Sequence, residues 1–390
     1  MNRNIKHLLF ACAILCSAFY WACDSREVSK QSEQTEQTEV SMTPITYNIY
    51  VENSGSMKGY CKYSDPHALE TLIDDLYERL NSCENTNHIS LNFINTQIKK
   101  SSNQKKEFLG TIRSKCTADY TKIDDMLQMM MSTVNDTSVN FLISDYVFTT
   151  THGNPVTAAS EISTLFSKEI ANRDLAVAIY KYMVNFDGRY YPGGIRCNKK
   201  LPLYIWCFGN KENIRQVSML PFVTEKCGEF LLQEPSYPEV KLEAKTKRTI
   251  DGNKLHIKRW KSNNRGVYEF KLSVSLSDVL LKESEVTNID NYNISANNTS
   301  DYTINNIERI GEDEYRFTIH TMRPAPGDIT ISFPIDIPEW VQESNFEGSG
   351  IPDDGKTYCV AYLIEAVDKA FKDAAGQDNY NYFELKIKAE

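Results

Sequence analysis

Apolar residues change their spacing along the chain, and the change divides it. Residues 45–51 (ITYNIYV), 89–94 (ISLNFI) and 139–143 (VNFLI) are short apolar runs, which predicts strands. Between them Leu69, Leu72, Ile73, Leu76 and Leu80 recur at steps of three and four, which predicts a helix over 66–80 with Pro66 near its start. Ile123, Met126, Leu127 and Met130 repeat that spacing over 121–131, where the methionines read as core filler. The polar, basic stretch 99–106 reads as loop. A helix over 158–170, strands over 175–184 and 201–208, and a helix over 212–220 continue the alternation. Near-continuous apolar strands alternating with helices predict an α/β doubly wound, mostly parallel sheet covered on both faces. In such sheets ligands bind beyond the carboxyl ends of the strands.

From about residue 235 the period falls to two. Val240, Leu242 and Ala244 alternate with charged residues, Asp251-Gly252 signals a hairpin, and 268–274, 315–319 and 329–333 read as strands. The asparagine-rich stretch 288–306 reads as loop. These elements predict an antiparallel β-sandwich of the immunoglobulin-like kind, with one helix over 358–371 and a strand over 382–387. The basic residues of 241–261 fall on solvent positions of a hairpin. With the change of period near Glu234-Pro235, the expected domains are 44–225 and 235–390.

Neither period reaches the first 43 residues. Arg3 and Lys6 precede an uncharged run over 8–22, the plan of a signal peptide over 1–22. Ala22-Cys23 resembles the bacterial lipoprotein signal, which implies lipid on Cys23, followed by a polar, flexible tether over 23–43. The expected location is the cell envelope, lipid-anchored to a bacterial membrane. The chain of 390 residues carries a formal charge of -9, which argues against a protein that coats nucleic acid. Beyond Cys23 lie Cys61, Cys83, Cys116, Cys197, Cys207, Cys227 and Cys359, with no Cys-x-x-Cys spacing.

The chemistry concentrates at predicted strand ends. Glu52-Asn-Ser54-Gly-Ser56 follows the first strand, Thr121 opens a helix, and Asp145 closes the run NFLISD. Two carboxylates and three hydroxyls make a hard oxygen site suited to Mg²⁺ or a similar divalent ion.

These motifs resemble the von Willebrand factor A (integrin I-like) domain and its metal-ion-dependent adhesion site. YVENSGSM is similar to that family's Asp-x-Ser-Gly-Ser-Met, Thr-x-Ile-x-x-Met-Leu at 121–127 to its Thr-x-Ile-x-x-Ala-Leu, and LISD to its Leu-Leu-Thr-Asp. The resemblance covers 44 to about 225 and implies Ser54, Ser56 and Thr121 as direct ligands of Mg²⁺ or Mn²⁺. It implies that Glu52 and Asp145 act mainly through held water, and that the open position takes a carboxylate from an envelope or extracellular protein partner. Glu52 stands where the family has Asp, one methylene longer, which implies weaker binding.

Other candidates carry less. His152 follows Asp145 on the same loop side and reads as a loop histidine. Ser54 is not in a nucleophile-elbow pattern. Cys61 and Cys116 flank the two site loops, either as a disulfide or as separate thiols. The leading expectation is an adhesion or binding module without enzymatic activity. The alternatives are a metal-free envelope scaffold, or a hydrolase using Glu52 and Asp145 with nearby Tyr50, Tyr60, Tyr63 and Tyr146.

Overall fold

A computed structural model describes residues 43–390, apart from 62–67, 102–103, 120, 149–153, 192, 222–224, 244–249, 298–300 and 377–379. The expectations for the signal peptide, Cys23, the tether, Tyr63 and His152 therefore lie outside the described residues.

Strand β1 (Ile45–Glu52) runs parallel to β2 (Thr86–Ile94) on one side and to β4 (Ser138–Ser144) on the other. Every residue of β4 is buried, so both faces of the sheet are covered there. Short β3 (Ile98–Lys100) closes one edge antiparallel to β2. Beyond β4 come β6 (Ile195–Asn210), β5 (Leu175–Tyr190) and β7 (Gly228–Leu232), each antiparallel to its neighbour. The sheet is thus mixed, with a parallel centre, and not mostly parallel as expected.

The reason lies in residues 185–200. They extend both predicted strands into one long hairpin, pairing Tyr190 with Ile195 around Gly193 and Gly194 in positive φ. A hairpin must be antiparallel, so its return strand β6 inserts between β4 and β5.

Helices α1 (Leu69–Asn81) and α3 (Ile123–Met131) follow the predicted spacing, and α4 (Pro155–Asn172) starts on an Asn154 cap with proline in its first turn. Helix α2 (Lys105–Lys115) and β3 replace much of the expected loop at 99–106. Only Phe108, Leu109 and Ile112 mark the buried face of α2, and Phe108 stacks on Phe93 at 4.6 Å. Helix α5 (Lys211–Ser218) packs on the β5/β6 hairpin.

The later residues build a four-stranded sheet, in spatial order Tyr302–Arg309, Glu314–Thr321, Tyr268–Ser275, Val240–Glu243. They also build a five-stranded one: Asn293–Ala296, Gly327–Pro334, Asn381–Ala389, Lys254–Leu255, Ile250–Asp251. Pairings are antiparallel except Lys254–Leu255 against Asn381–Ala389, which is parallel. Tyr292 lies edge-on to Phe317 of one sheet and to Phe333 of the other, so their aromatic faces meet in one core. The asparagine-rich stretch supplies two of these strands. Tyr302, Ile304 and Ile307 face inward around a bulge, and this packing overrides the low strand propensity of asparagine.

Thr43–Glu390 form one compact unit. The change of period near 225–235 marks a change of sheet, not a gap in packing. The predicted late helix, Val360–Ala375, packs against α4 of the first sheet. Trp340 stacks toward Tyr204 at 6.5 Å and donates to the Glu229 carbonyl. Lys181 Nζ donates to Ser344 Oγ at 2.6 Å, and Lys211 pairs with Asp278 at 2.8 Å. Among the described residues no helix is long and apolar enough to cross a membrane.

Candidate functional site

Parallel pairing sets the site. Register matches Val51 with Ile143, so one step further Glu52 and Ser144 end their strands side by side at the carboxyl edge of the sheet. On the same face a polar ladder runs behind them: Ser90 Oγ donates to Asn48 Oδ1 at 2.6 Å, and Asn48 Nδ2 to Asn140 Oδ1 at 2.9 Å. Asn140 Nδ2 in turn reaches Thr133 Oγ1 at 2.9 Å and the Met130 carbonyl at 3.1 Å.

Beyond β1 the chain makes a turn that two other elements hold. Gly55 N–H donates to the Ala118 carbonyl at 2.8 Å, and Ala118 N–H to the Asn53 carbonyl at 3.0 Å. This joins the serine turn to the segment leading to Thr121. The 3₁₀ turn Ser56–Tyr60 then sits against the β5/β6 extension, with Tyr60 edge-on to Phe186 at 4.8 Å and its hydroxyl on the Pro202 carbonyl. A Cβ on Gly59 would lie 2.2 Å from the Phe186 ring, so only glycine permits that approach.

All five residues expected in the site come together, each at most 7% exposed. Thr121 Oγ1 donates to Glu52 Oε1 at 2.6 Å, and Ser144 Oγ donates to Glu52 Oε2. Ser56 Oγ donates to Asp145 Oδ2 at 2.7 Å and lies 2.9 Å from Ser54 Oγ. Since the Ser56 proton is committed to Asp145, Ser54 donates along that contact, and it also lies against the Glu52 carboxyl. Thr121, Glu52, Ser54, Ser56 and Asp145 thus form one contiguous buried polar cluster. Asp145 Oδ1 accepts from Val147 N–H at 3.2 Å, while Ser144 Oγ accepts from Tyr146 N–H at 2.8 Å. Between them Tyr146 takes a left-handed φ of 49°, a conformation that costs about 1–3 kcal/mol in a residue with a side chain.

Burial dominates the electrostatics. It raises the Glu52 carboxyl above its ordinary range against the opposing hydrogen bonds from Ser144, Ser54 and Thr121. Burial, then the Glu52 charge, push Asp145 up to about 7, while Ser56 and Val147 N–H pull it back. Two buried carboxylates joined through hydroxyls favour a shared proton or a cation.

Sequence reasoning passed over two participants. Ser144 was within the LISD motif, and the register that sets it beside Glu52 is its signal. Asn53 Oδ1 is buried without a hydrogen-bond partner, and nothing in its local pattern marks it. Among the described residues no three His, Cys, Asp or Glu side chains gather as a metal-binding group, so the oxygen cluster rests on hydroxyls and two carboxylates. The chain matches no known family model, no curated protein and no solved structure.

Proposed function

We propose that the chain is a binding module of the von Willebrand factor A-like class, in which Glu52, Ser54, Ser56, Thr121 and Asp145 take a divalent cation. The particular role we assign is that of a lipid-anchored cell-envelope protein that engages a carboxylate of a protein partner through that cation, without catalysis. One observation carries the reading: three separate segments deliver these five side chains into a single buried polar cluster at the carboxyl edge of parallel strands. The donor set is all oxygen, as Mg²⁺ and Mn²⁺ prefer. Thr121 and Ser56 donate to the carboxylates and Ser54 to Ser56, and hydroxyl oxygens keep lone pairs for a cation. When bound, the ion would supply the positive charge that the buried carboxylate pair lacks.

The antiparallel return strand β6 beside β4 and the longer arm of Glu52 set this chain apart from the family it resembles. A second reading, a metal-free scaffold, draws on the same hydrogen bonds, because the chain of hydroxyls already satisfies both carboxylates from within. Calorimetry with MgCl₂ and MnCl₂ separates the two. The binding reading expects weak uptake in the native chain, loss in Ser54→Ala and Asp145→Ala, and retained or tighter uptake in Glu52→Asp. Uptake absent from both the native chain and Glu52→Asp would sink the cation; uptake gained only in Glu52→Asp would favour the scaffold.

A further inference from the structure

Cys61 and Cys116 stand on the two segments that carry the site's serines and Thr121, and neither thiol belongs to its polar cluster. Cys61 caps the turn Ser56–Tyr60, Cys116 caps α2, and both are buried. The two segments are fastened on either side of the sulfurs. Gly55 and Asn53 bond Ala118 through their backbones, and Arg113 Nη1 donates to the Cys61 carbonyl at 2.8 Å and to that of Lys58 at 3.5 Å. Cys61 Sγ donates to the Met57 carbonyl at 3.4 Å, and the Cys116 thiol lies close enough to act on that of Cys61. Cys83 and Cys359, by contrast, bond the tyrosines Tyr47 and Tyr358.

We propose that Cys61 and Cys116 close a disulfide that clamps the serine turn to the segment entering Thr121. Formation breaks two S–H bonds and makes one S–S bond. The two electrons reduce a disulfide oxidant to two thiols, through a mixed disulfide, and the two protons go to those thiols. The nearby Cys116 thiol and then burial hold the Cys61 thiol far above its ordinary range, so little of the attacking thiolate exists in the packed state. The bond therefore forms while the chain folds, and burial afterwards protects it. This clamp needs no cation, and it stands or falls apart from the proposed function.

The test refolds the full chain from urea in a chelator, with reduced glutathione alone or with oxidised glutathione added. Oxidised refolding should give an intact mass lower by two hydrogens and, after unreduced proteolysis, one peptide pair joining residues 61 and 116. Amide exchange at Gly55 and Ala118 should be roughly tenfold slower in the oxidised protein, because opening of that segment is the motion the bond restrains. Cys61→Ser and Cys116→Ser should show neither the cross-link nor any redox dependence of exchange. The native-sequence mapping decides the question even if those variants fold poorly. Free alkylation of both cysteines after oxidative refolding, or their pairing with other cysteines, would overturn the proposal. So would a 61–116 cross-link that leaves amide exchange unchanged.

Discussion

Lowering the pH should make the cation-free protein more stable, the reverse of the usual behaviour of a carboxylate paired in a fold. Asp145 has its folded pKa raised to about 7 from an ordinary 3.8. Its stabilising contribution is therefore complete below the unfolded value and is lost as pH rises through the folded one. Each unit of displacement corresponds to about 1.36 kcal/mol, so the full window between pH 4 and 7 is worth about 4 kcal/mol. The raised Glu52 acts in the same direction. The assay is urea unfolding of the native chain and Asp145→Asn at half-unit steps from pH 4 to 8 in chelator. Taking the difference removes the contribution of the groups that do not interact with Asp145 and leaves that of the carboxyl pair. The stability of the native chain relative to Asp145→Asn should fall by about 4 kcal/mol across that window, the integral over pH of a difference of up to one bound proton between the folded and unfolded states. Saturating Mg²⁺ should flatten the fall, because a bound cation favours ionised oxygens. A difference that is level across the window in chelator, or that climbs with pH, would refute the electrostatic account of the pair.

Other expectations follow from packing. Asn140→Ala strips partners from Asn48, Met130 and Thr133. At about 1–3 kcal/mol for each buried group left unpaired, it should lower unfolding free energy by about 3 kcal/mol in urea titration; a change below about 1 kcal/mol would speak against the ladder. A fragment of residues 43–225 lacks β7 and the helix that covers α4, so it should aggregate or unfold without cooperativity in calorimetry. A soluble, cooperatively melting fragment would restore the independent domains that the change of period suggests. Cys23→Ser should shift the protein from the membrane fraction to the soluble one on fractionation, and continued membrane retention would exclude the lipid anchor.

Much of the site was legible because its residues are fixed by local sequence. Glu52, Ser54 and Ser56 follow one strand, and Asp145 ends another, so calling the strands was enough to place them at one edge. Thr121 needed only the following helix. The hidden parts depend on pairing across long separations. The continuous apolar run ends at Val184, yet the strand goes on with Phe186 and Tyr190 buried and polar Asn185 and Arg189 among them, because its partner strand returns beside it. A continuous apolar run reports a strand buried on both faces, and it stops where one face turns outward although the other stays packed. The late helix showed its apolar stripe plainly, but a stripe does not say which surface it meets, and that surface proved to be α4. Asparagines misled in the opposite sense, since Tyr302 and Ile307 do the packing while their polar neighbours face outward.

The strand Asn381–Ala389 occupies the middle of its five-stranded sheet, and the helix just before it completes the cover over α4. Vectorial synthesis delivers both after the other described strands. At about 5–20 residues per second, the strands at the centre of the first sheet wait tens of seconds for these segments. Throughout that interval α4 carries a bare apolar flank, and once Gly327–Pro334 has emerged the second sheet stands with its middle missing. Such intermediates are the species that holdase chaperones recognise, and a chain cut before Asn381 would be a sticky product instead of a slightly shortened one.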